Sequence, residues 1–255
     1  MGRDSAIEWT DHTWNPWYGC RKVSVGCKHC YAERDMLRFG KNFNAVTRAK
    51  DGTFYSPDKW QDGGLIFTCS WSDFFIAEAD EWRAEAWEII KRNQRHIFQI
   101  LTKRHERVMD HLPEDWGHGY PNVWLGMSAA NQEWLDRRAS DFLRIPAVLH
   151  FLSAEPLVGP IPYIHQYLPS APGRKGFDWV IVGGESGIGS EWRQMQPQWV
   201  DEIWAACQQF EIPFFFKQWA GNKKPGVVNN RFRGQVWQEI PAADFYKPPP
   251  MEPLL

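Results

Sequence analysis

Short apolar runs alternate with segments of helical periodicity along most of this 255-residue chain. Strands that alternate with helices favour parallel pairing with right-handed crossovers. The runs are continuously apolar, which is typical of strands buried on both faces. The predicted strands are Ala6–Trp14, Leu65–Ser70, His96–Leu101, Asn122–Met127, Ala147–Ser153, Trp179–Val182 and Pro213–Lys217. The predicted helices are Tyr31–Phe39, Ala77–Arg92, Arg104–His111, Gln132–Leu143 and Gln198–Phe210.

About seven such strands predict an α/β fold, a partial or nearly closed TIM-like (β/α) barrel with parallel strands. A doubly wound open sheet is the alternative. The barrel is predicted to span residues 1–240, with a cysteine loop at 15–31 and a long polar loop at 40–64. Residues 241–255 include the run KPPP and are predicted to form a Pro-rich C-terminal tail.

Charge and hydropathy argue against several classes of protein. The net charge of −2 gives no global signature of nucleic-acid binding, although a local basic patch is compatible with it. No apolar run is long enough for a membrane helix, and the N-terminus lacks the hydrophobic region of a signal peptide. We therefore expect a cytoplasmic protein without membrane contact, in which the five cysteines stay reduced.

Three of the cysteines, Cys20, Cys27 and Cys30, crowd into eleven residues between a predicted strand and a predicted helix. Closely spaced thiolates ligate iron–sulfur clusters or zinc. Three ligands leave one iron of a four-iron cluster open, as a catalytic site requires. The alternative is a zinc site with His12 or His29 as the fourth ligand.

The segment CKHCYAE (Cys27–Glu33) resembles the Cys-x-aromatic-Cys-Tyr sequence of the spore photoproduct lyase branch of the radical S-adenosylmethionine (SAM) superfamily. The whole chain resembles a phage-associated three-cysteine family related to that branch. The first spacing of six residues is longer than the superfamily's usual one. The segments that carry the wider resemblance are WNPWYGC, CSWSDFF, ILTKR, SAEPL, GGESG and FFFKQW.

The resemblance implies a [4Fe-4S] cluster on the three cysteines and S-adenosyl-L-methionine bound at its open iron. Reductive cleavage of SAM would give a 5′-deoxyadenosyl radical, with electrons from a donor such as flavodoxin or ferredoxin. The cofactor carries the difficult step, and the protein positions it and excludes water.

The resemblance also implies cofactor-binding residues near the cysteines and after the second strand. His29 would lie near the adenine, with support of the cluster as its alternative role. Ser70, Ser72 and Asp73 would hold the amino group of SAM, with Asp73 paired to the ammonium. The alternative for Asp73 is a cap on the following helix.

Further residues are implied at later strand ends, where barrel sites gather. Lys103 would neutralise the carboxylate of SAM, or else lie in solvent. Ser128 would reach the ribose, and Glu155 would meet ribose hydroxyls or substrate.

Three residues are candidates for catalysis. Cys69 stands at a strand end, where it could donate a hydrogen atom. Glu185 lies in the GGESG turn, which we interpret as exposing it at the barrel mouth. Lys217 ends the last strand and is predicted to face substrate.

The resemblance thus implies a phage-related radical enzyme that modifies or repairs a nucleobase in DNA, RNA or a nucleotide. Basic residues near strand ends and 16 Trp suit stacking and phosphate contacts. The alternatives are a radical enzyme acting on a peptide or small metabolite, and a zinc-stabilised binding protein without catalysis. The oligomeric state is not predicted.

Overall fold

The structure is a computed structural model that describes residues 2–169, 175–187, 192–221 and 229–241. The strands are β1 (His12–Trp14), β2 (Trp17–Tyr18), β3 (Thr47–Arg48), β4 (Gly64–Thr68), β5 (His96–Thr102), β6 (Val123–Ser128), β7 (His150–Ala154), β8 (Trp179–Gly183), β9 (Phe214–Gln218), β10 (Arg231–Phe232) and β11 (Gln235–Val236). The helices are α1 (Tyr31–Arg38), α2 (Asp51–Phe54), α3 (Asp80–Arg92), α4 (Gln132–Phe142) and α5 (Pro197–Gln209).

Seven strands form one curled sheet in the order β1-β4-β5-β6-β7-β8-β9. Every neighbouring pair in this sheet is parallel. The order follows the chain without reversing, which confirms the partial TIM-like barrel. The doubly wound alternative is wrong, because that fold reverses its strand order. All seven carboxyl ends therefore meet at one edge of the sheet.

Three predicted elements differ from the structure. The first strand covers only His12–Trp14, because residues 5–11 form a turn closed by a 2.8 Å bond from the Ser5 N–H to the Asp11 carbonyl. The segment Arg104–His111 forms two short 3₁₀ turns instead of a helix. Residues 40–64 are not a plain loop, since they contain β3 and α2 and bury Phe54.

Alternate strand residues face two separate apolar layers. Outward side chains pack against the helices in the main core, whereas the inward ones form an aromatic cluster, called here the barrel floor. Gly126 makes room for this floor, since a Cβ there would lie 2.1 Å from Cζ of Phe151. The aromatic members of the barrel floor are Trp9, Phe67, Trp124, Phe151, Trp179 and Phe215.

Residues 15–50 form a compact unit beside the carboxyl ends of β1 and β4, called here the cysteine cap. It consists of the antiparallel β2–β3 pair and α1, and buries Ala32, Met36 and Phe43 against Trp71. It contains eight Lys and Arg but only two Asp and Glu. Its net charge of +6 therefore contrasts with −8 for the remainder of the chain.

The predicted C-terminal tail lies outside the described residues, except for Pro241. Across the described ranges, no helix combines the length and apolar character needed to cross a membrane.

Candidate active site

A cavity of about 1030 Å³, including its part open to solvent, lies between the cysteine cap and the carboxyl edge of the sheet. Every residue predicted from the sequence to hold the cluster, SAM or substrate lies on its wall. These residues are Cys20, Cys27, His29, Cys30, Cys69, Ser70, Ser72, Asp73, Lys103, Ser128, Glu155, Glu185 and Lys217.

The backbone around Cys20 is held from several sides. Its N–H donates to the Phe43 carbonyl at 2.8 Å. The Ser72 hydroxyl donates to the Gly19 carbonyl at 2.6 Å. Gly19 has φ +94°, and a Cβ there would lie 2.4 Å from the Ala45 carbonyl oxygen, so only glycine fits. The first cysteine is thus fixed by contacts within the cap and with the sheet edge.

The other two cysteines lie at the junction of a turn and a helix. Cys27 ends a 3₁₀ turn, and its Sγ lies 3.5 Å from the Ser24 hydroxyl. Cys30 is the N-cap residue of α1. All three thiols are partly accessible to solvent.

The thiols differ in their electrostatic surroundings. Burial and the charge of Asp73 raise the pKa of Cys20 to about 11. Burial also opposes ionisation of Cys27, but the Lys103 charge and the Ser24 hydroxyl bring the pKa of that thiol below its ordinary value. Cys27 is therefore influenced by a basic and a hydroxyl group, whereas Cys20 is influenced by both a carboxylate and a guanidinium.

The three thiols line one cavity, and thiolates are the ligands that an iron–sulfur cluster takes. Within the described ranges, no three or more His, Cys, Asp and Glu side chains lie close enough together to hold one metal ion. A four-iron cluster is larger than an ion and takes one thiolate per iron, so its ligands stand farther apart. His12 does not line the cavity; it accepts a 3.2 Å bond from the Asp4 N–H and packs against Trp60. Its suggested role as a zinc ligand is wrong.

Both oxygens of the Asp73 carboxylate already accept hydrogen bonds from donors within the protein. Its Oδ1 accepts from the Phe75 N–H at 3.0 Å and the Thr102 hydroxyl at 2.7 Å. Its Oδ2 accepts from the Lys103 N–H at 2.9 Å and pairs with Arg104 at 3.0 Å. The geometry therefore favours the alternative that the sequence left open, a structural role that includes capping the following turn, over a contact with SAM.

The two serines near Asp73 also have internal partners. The Ser70 hydroxyl accepts from Nδ2 of Asn15 at 2.9 Å, and the Ser70 carbonyl accepts from the Tyr31 hydroxyl at 2.7 Å. The Ser72 hydroxyl donates to the cap, as described above. These contacts join the cysteine cap to the end of β4.

Two polar pairs face the cavity from later strand ends. Nζ of Lys103 donates to the Ser128 hydroxyl at 3.1 Å. Lys217 forms a hydrogen-bonded ion pair with Glu155. The cavity wall therefore offers two ammonium groups, a hydroxyl and a carboxylate.

The sequence predicted that Glu185 is exposed at the barrel mouth. In the structure it is buried instead. Its carboxylate accepts from the Arg193 N–H at 2.9 Å and from Nε of Arg193 at 3.1 Å. Burial raises the pKa of Glu185, but the Arg193 bonds outweigh burial and leave it lowered. Arg193 also donates to the Val25 carbonyl at 3.0 Å, so it ties the end of β8 to the cysteine loop.

Cys69 is only 2% exposed and packs in the main core. Its backbone adopts a left-handed conformation, with φ 65°, at the end of β4. Burial raises the pKa of this thiol well above its ordinary value. Cys69 is therefore a neutral thiol at the cavity wall, and its role as a hydrogen-atom donor stays a prediction.

The sequence analysis predicted no structural role for three residues that organise the site, Asn15, Tyr31 and Arg104, and Arg104 was expected only as one of the basic residues near strand ends. Asn15 directly follows β1, Tyr31 directly follows Cys30, and Arg104 comes two residues after β5. Position at a strand end or beside a cysteine was the available signal. Their partners depend on contacts between distant segments, which spacing does not reveal.

Exposed groups on the cysteine cap are basic and aromatic. Arg38 and Lys50 are exposed and form no ion pair within the described part of the chain. Phe39 is 68% exposed, and its ring lies 5.7 Å from that of Trp71. Such interleaving of cations and rings suits contacts with phosphates and bases.

A family model described as "Protein of unknown function (DUF5131)" matches residues 4–241. No curated protein matches the sequence. The fold is similar to that of spore photoproduct lyase. A tyrosine-to-phenylalanine mutant of that lyase gives a TM-score of 0.54 at 10% identity, over 87% of this chain and 80% of that one. A cysteine-to-serine mutant gives 0.53 at 10% identity, over 87% and 78%.

The lyase complexed with dinucleoside spore photoproduct gives a TM-score of 0.51 at 12% identity, over 83% of this chain. The match spans 65% of that lyase chain, just under two thirds of its length. At such identities the likeness shows a shared fold.

Proposed function

This chain belongs to the DUF5131 family of proteins of unknown function, and we propose that it is a radical SAM enzyme acting on a nucleobase. The observation that carries the proposal is the convergence of Cys20, Cys27 and Cys30 with polar strand-end residues on one cavity wall. Cavities at the carboxyl edge of βα barrels are the usual place for catalysis.

The three cysteines would hold a [4Fe-4S] cluster through their thiolates. When bound, the cluster and SAM supply one-electron chemistry that activates carbon–hydrogen bonds, with electrons from a donor such as flavodoxin or ferredoxin. Lys103 is suited to the carboxylate of SAM, because it lies beside both Cys27 and Ser128. The Ser128 hydroxyl is suited to a ribose hydroxyl. The packed side chains of the barrel floor would exclude water from the amino-terminal end of the cavity.

The Glu155–Lys217 pair is suited to substrate. It presents a carboxylate acceptor and an ammonium donor on the same wall as the cysteines. A nucleobase edge offers matching N–H donors and carbonyl acceptors. The neutral thiol of Cys69 lies on that wall as well, where it could donate a hydrogen atom. His29 would contact the adenine of SAM.

The choice of a nucleobase has two supports besides that pair. The cysteine cap, with its net charge of +6, borders the cavity, so it would attract the phosphates of a nucleic acid. One spore photoproduct lyase of similar fold is complexed with a dinucleoside. The phage association and the cytoplasmic location belong to this proposal as predictions from sequence.

The test begins with anaerobic purification, iron and sulfide analysis, and assay of 5′-deoxyadenosine after addition of SAM and dithionite. We expect about four irons per chain and cleavage of SAM. Cys27→Ala should abolish both, whereas Cys207→Ala should retain both, since Cys207 lies on the buried face of α5 and does not line the cavity. One zinc per chain without cleavage would support the non-catalytic alternative and refute the proposal.

The substrate is tested separately with a fluorescent single-stranded oligonucleotide. We expect the logarithm of the association constant to fall linearly with the logarithm of the salt concentration. Binding should also weaken when Arg38 and Lys50 are both replaced by Gln. The control replaces Arg137 and Arg144, two exposed arginines on the α4 side. Salt-independent or absent binding by an enzyme that cleaves SAM would favour a peptide or small metabolite.

A further inference from the structure

Arg104 is a buried arginine that touches the first cysteine. It is 6% exposed, and its Nη1 lies 3.8 Å from Sγ of Cys20. Its Nη2 donates to the Arg21 carbonyl at 2.9 Å. A single planar guanidinium thus holds both the thiol and the following peptide group.

Asp73 sets the place of this guanidinium. As described above, three further donors at the ends of β4 and β5 fix its carboxylate, which pairs with Nη1 of Arg104 at 3.0 Å. The Arg104 backbone is held too, because its N–H donates to the Thr102 hydroxyl at 2.9 Å. The sheet edge therefore positions the guanidinium independently of the cysteine loop.

A second buried arginine, Arg83, shows that the contact with a thiol is what distinguishes Arg104. Arg83 is also buried and paired with an aspartate, Asp80, at 2.6 Å. It donates to the carbonyls of Phe74 and Ile76 at 2.9 and 2.6 Å. Among the described residues it donates to no sulfur. Both arginines brace loops at the same edge, but Arg104 alone of the two reaches a thiol.

We propose that Arg104 is a positioning residue that clamps Cys20 toward the cluster and raises the reduction potential of that cluster. This inference rests on the proposed function, because it concerns the group that the cysteines would hold. The clamp acts on the ligand that begins the long six-residue spacing.

The effect on the potential has a simple cause. The reduced cluster carries one more negative charge than the oxidised one. An N–H from a cation to a ligand sulfur stabilises the extra charge, and the Arg104 side chain that supplies it is largely shielded from solvent. Lysine keeps the positive charge but has no planar fork, so it cannot hold the carboxylate, the sulfur and the carbonyl together.

The experiment compares reconstituted full-length wild type with Arg104→Lys, Arg104→Gln and Arg83→Lys. The midpoint potential is measured by optical titration under anaerobic conditions, with iron content and thermal melting measured on the same samples. At the wild-type midpoint, we expect the ratio of reduced to oxidised cluster to fall about tenfold in Arg104→Lys and further in Arg104→Gln. Arg83→Lys should melt lower than wild type and keep the wild-type potential.

Equal potentials in Arg104→Lys and wild type would overturn this inference. If wild type nevertheless holds iron and cleaves SAM, the proposed function stands. A wild-type chain that holds no cluster overturns both. Loss of iron from folded Arg104→Gln, with iron retained in Arg83→Lys, supports the clamp, because a merely structural role would affect the two arginines alike.

Discussion

At the carboxyl edge of the sheet the fully buried polar groups include charged side chains, whereas at the amino edge they are neutral. Among the residues that the structure describes, five charged ones are buried, and each lies at the carboxyl edge or donates to a loop or strand end there. They are Asp73, Arg83, Arg104, Arg138 and Glu185. The half-buried Glu155–Lys217 pair lies at the same edge.

At the amino edge, buried histidine and asparagine side chains contact main-chain oxygens. Nε2 of His96 lies 3.2 Å from the Trp60 carbonyl, and Nε2 of His150 lies 3.0 Å from that of Ile145. Nδ2 of Asn122 donates to the Ile90 carbonyl at 2.9 Å. Burial lowers the pKa of both histidines, so they are held neutral.

The difference separates two uses of buried polarity. Neutral groups satisfy the backbone of incoming loops at low cost, whereas buried charges must overcome a desolvation penalty that apolar packing avoids. Charges that are kept despite this penalty are typical of edges that perform chemistry. The predictions below test whether the two edges behave as differently as their composition indicates.

The largest expected effect is on the Glu155–Lys217 pair. Lys217→Met leaves the Glu155 carboxylate largely buried without its partner, so we expect the free energy of unfolding to fall by about 3 kcal/mol in urea titrations. Adding Glu155→Gln should restore most of the loss. Removal of the exposed Arg137 partner of Glu133 serves as the control and should cost little. A loss for Lys217→Met as small as that of the control would mean that solvent screens the pair.

An intermediate effect is expected from His150 at the amino edge. Burial lowers its pKa in the folded state to about 4. Because the unfolded chain binds the proton more readily, the stabilisation is complete above the unfolded pKa of about 6.5 and is lost as the pH falls toward 4. Between pH 7 and pH 5 we expect this residue to cost about 2 kcal/mol of stability.

The check is the pH dependence of unfolding in wild type and His150→Gln. The variant should lose that part of the dependence, whereas His118→Gln, at an exposed position, should retain it. Identical pH dependence in wild type and His150→Gln would contradict the buried, neutral state of this histidine.

The smallest effect concerns a polar residue at the carboxyl edge that is structural. Oδ1 of Asn131 accepts from the Trp134 N–H at 3.2 Å and caps α4. Asn131→Ala should cost about 1 kcal/mol in thermal or urea unfolding and leave iron content unchanged. Loss of iron from a folded Asn131→Ala chain would show that a capping residue at this edge also affects the metal site. The distinction between structural and functional polar residues at the carboxyl edge would then be wrong.

The fold was largely predictable because strand burial and helix periodicity are local properties of the sequence. The shared cavity followed as well, since parallel strands bring residues such as Lys103, Ser128 and Glu155 to one edge. The partners of those side chains were not predictable. Asp73 suggested a ligand for SAM, but its four donors come from segments whose contacts depend on register and on turns after β4 and β5.

The short first strand was missed for a similar reason. Residues 6–14 have strand-like alternation, yet a turn closes between Ser5 and Asp11 before pairing begins. Alternation records which side chains are buried, and Trp9 is indeed buried in the barrel floor. It does not record whether the backbone pairs with a neighbour.

The barrel floor gives the cavity a closed bottom. With Phe151 seated against Gly126 and three tryptophans beside it, packed aromatic side chains fill the amino end of the barrel in the described part of the chain. A molecule that enters from the carboxyl edge must turn back to leave. For the proposed enzyme, substrate and product would therefore use the same entrance, so product should inhibit in competition with substrate.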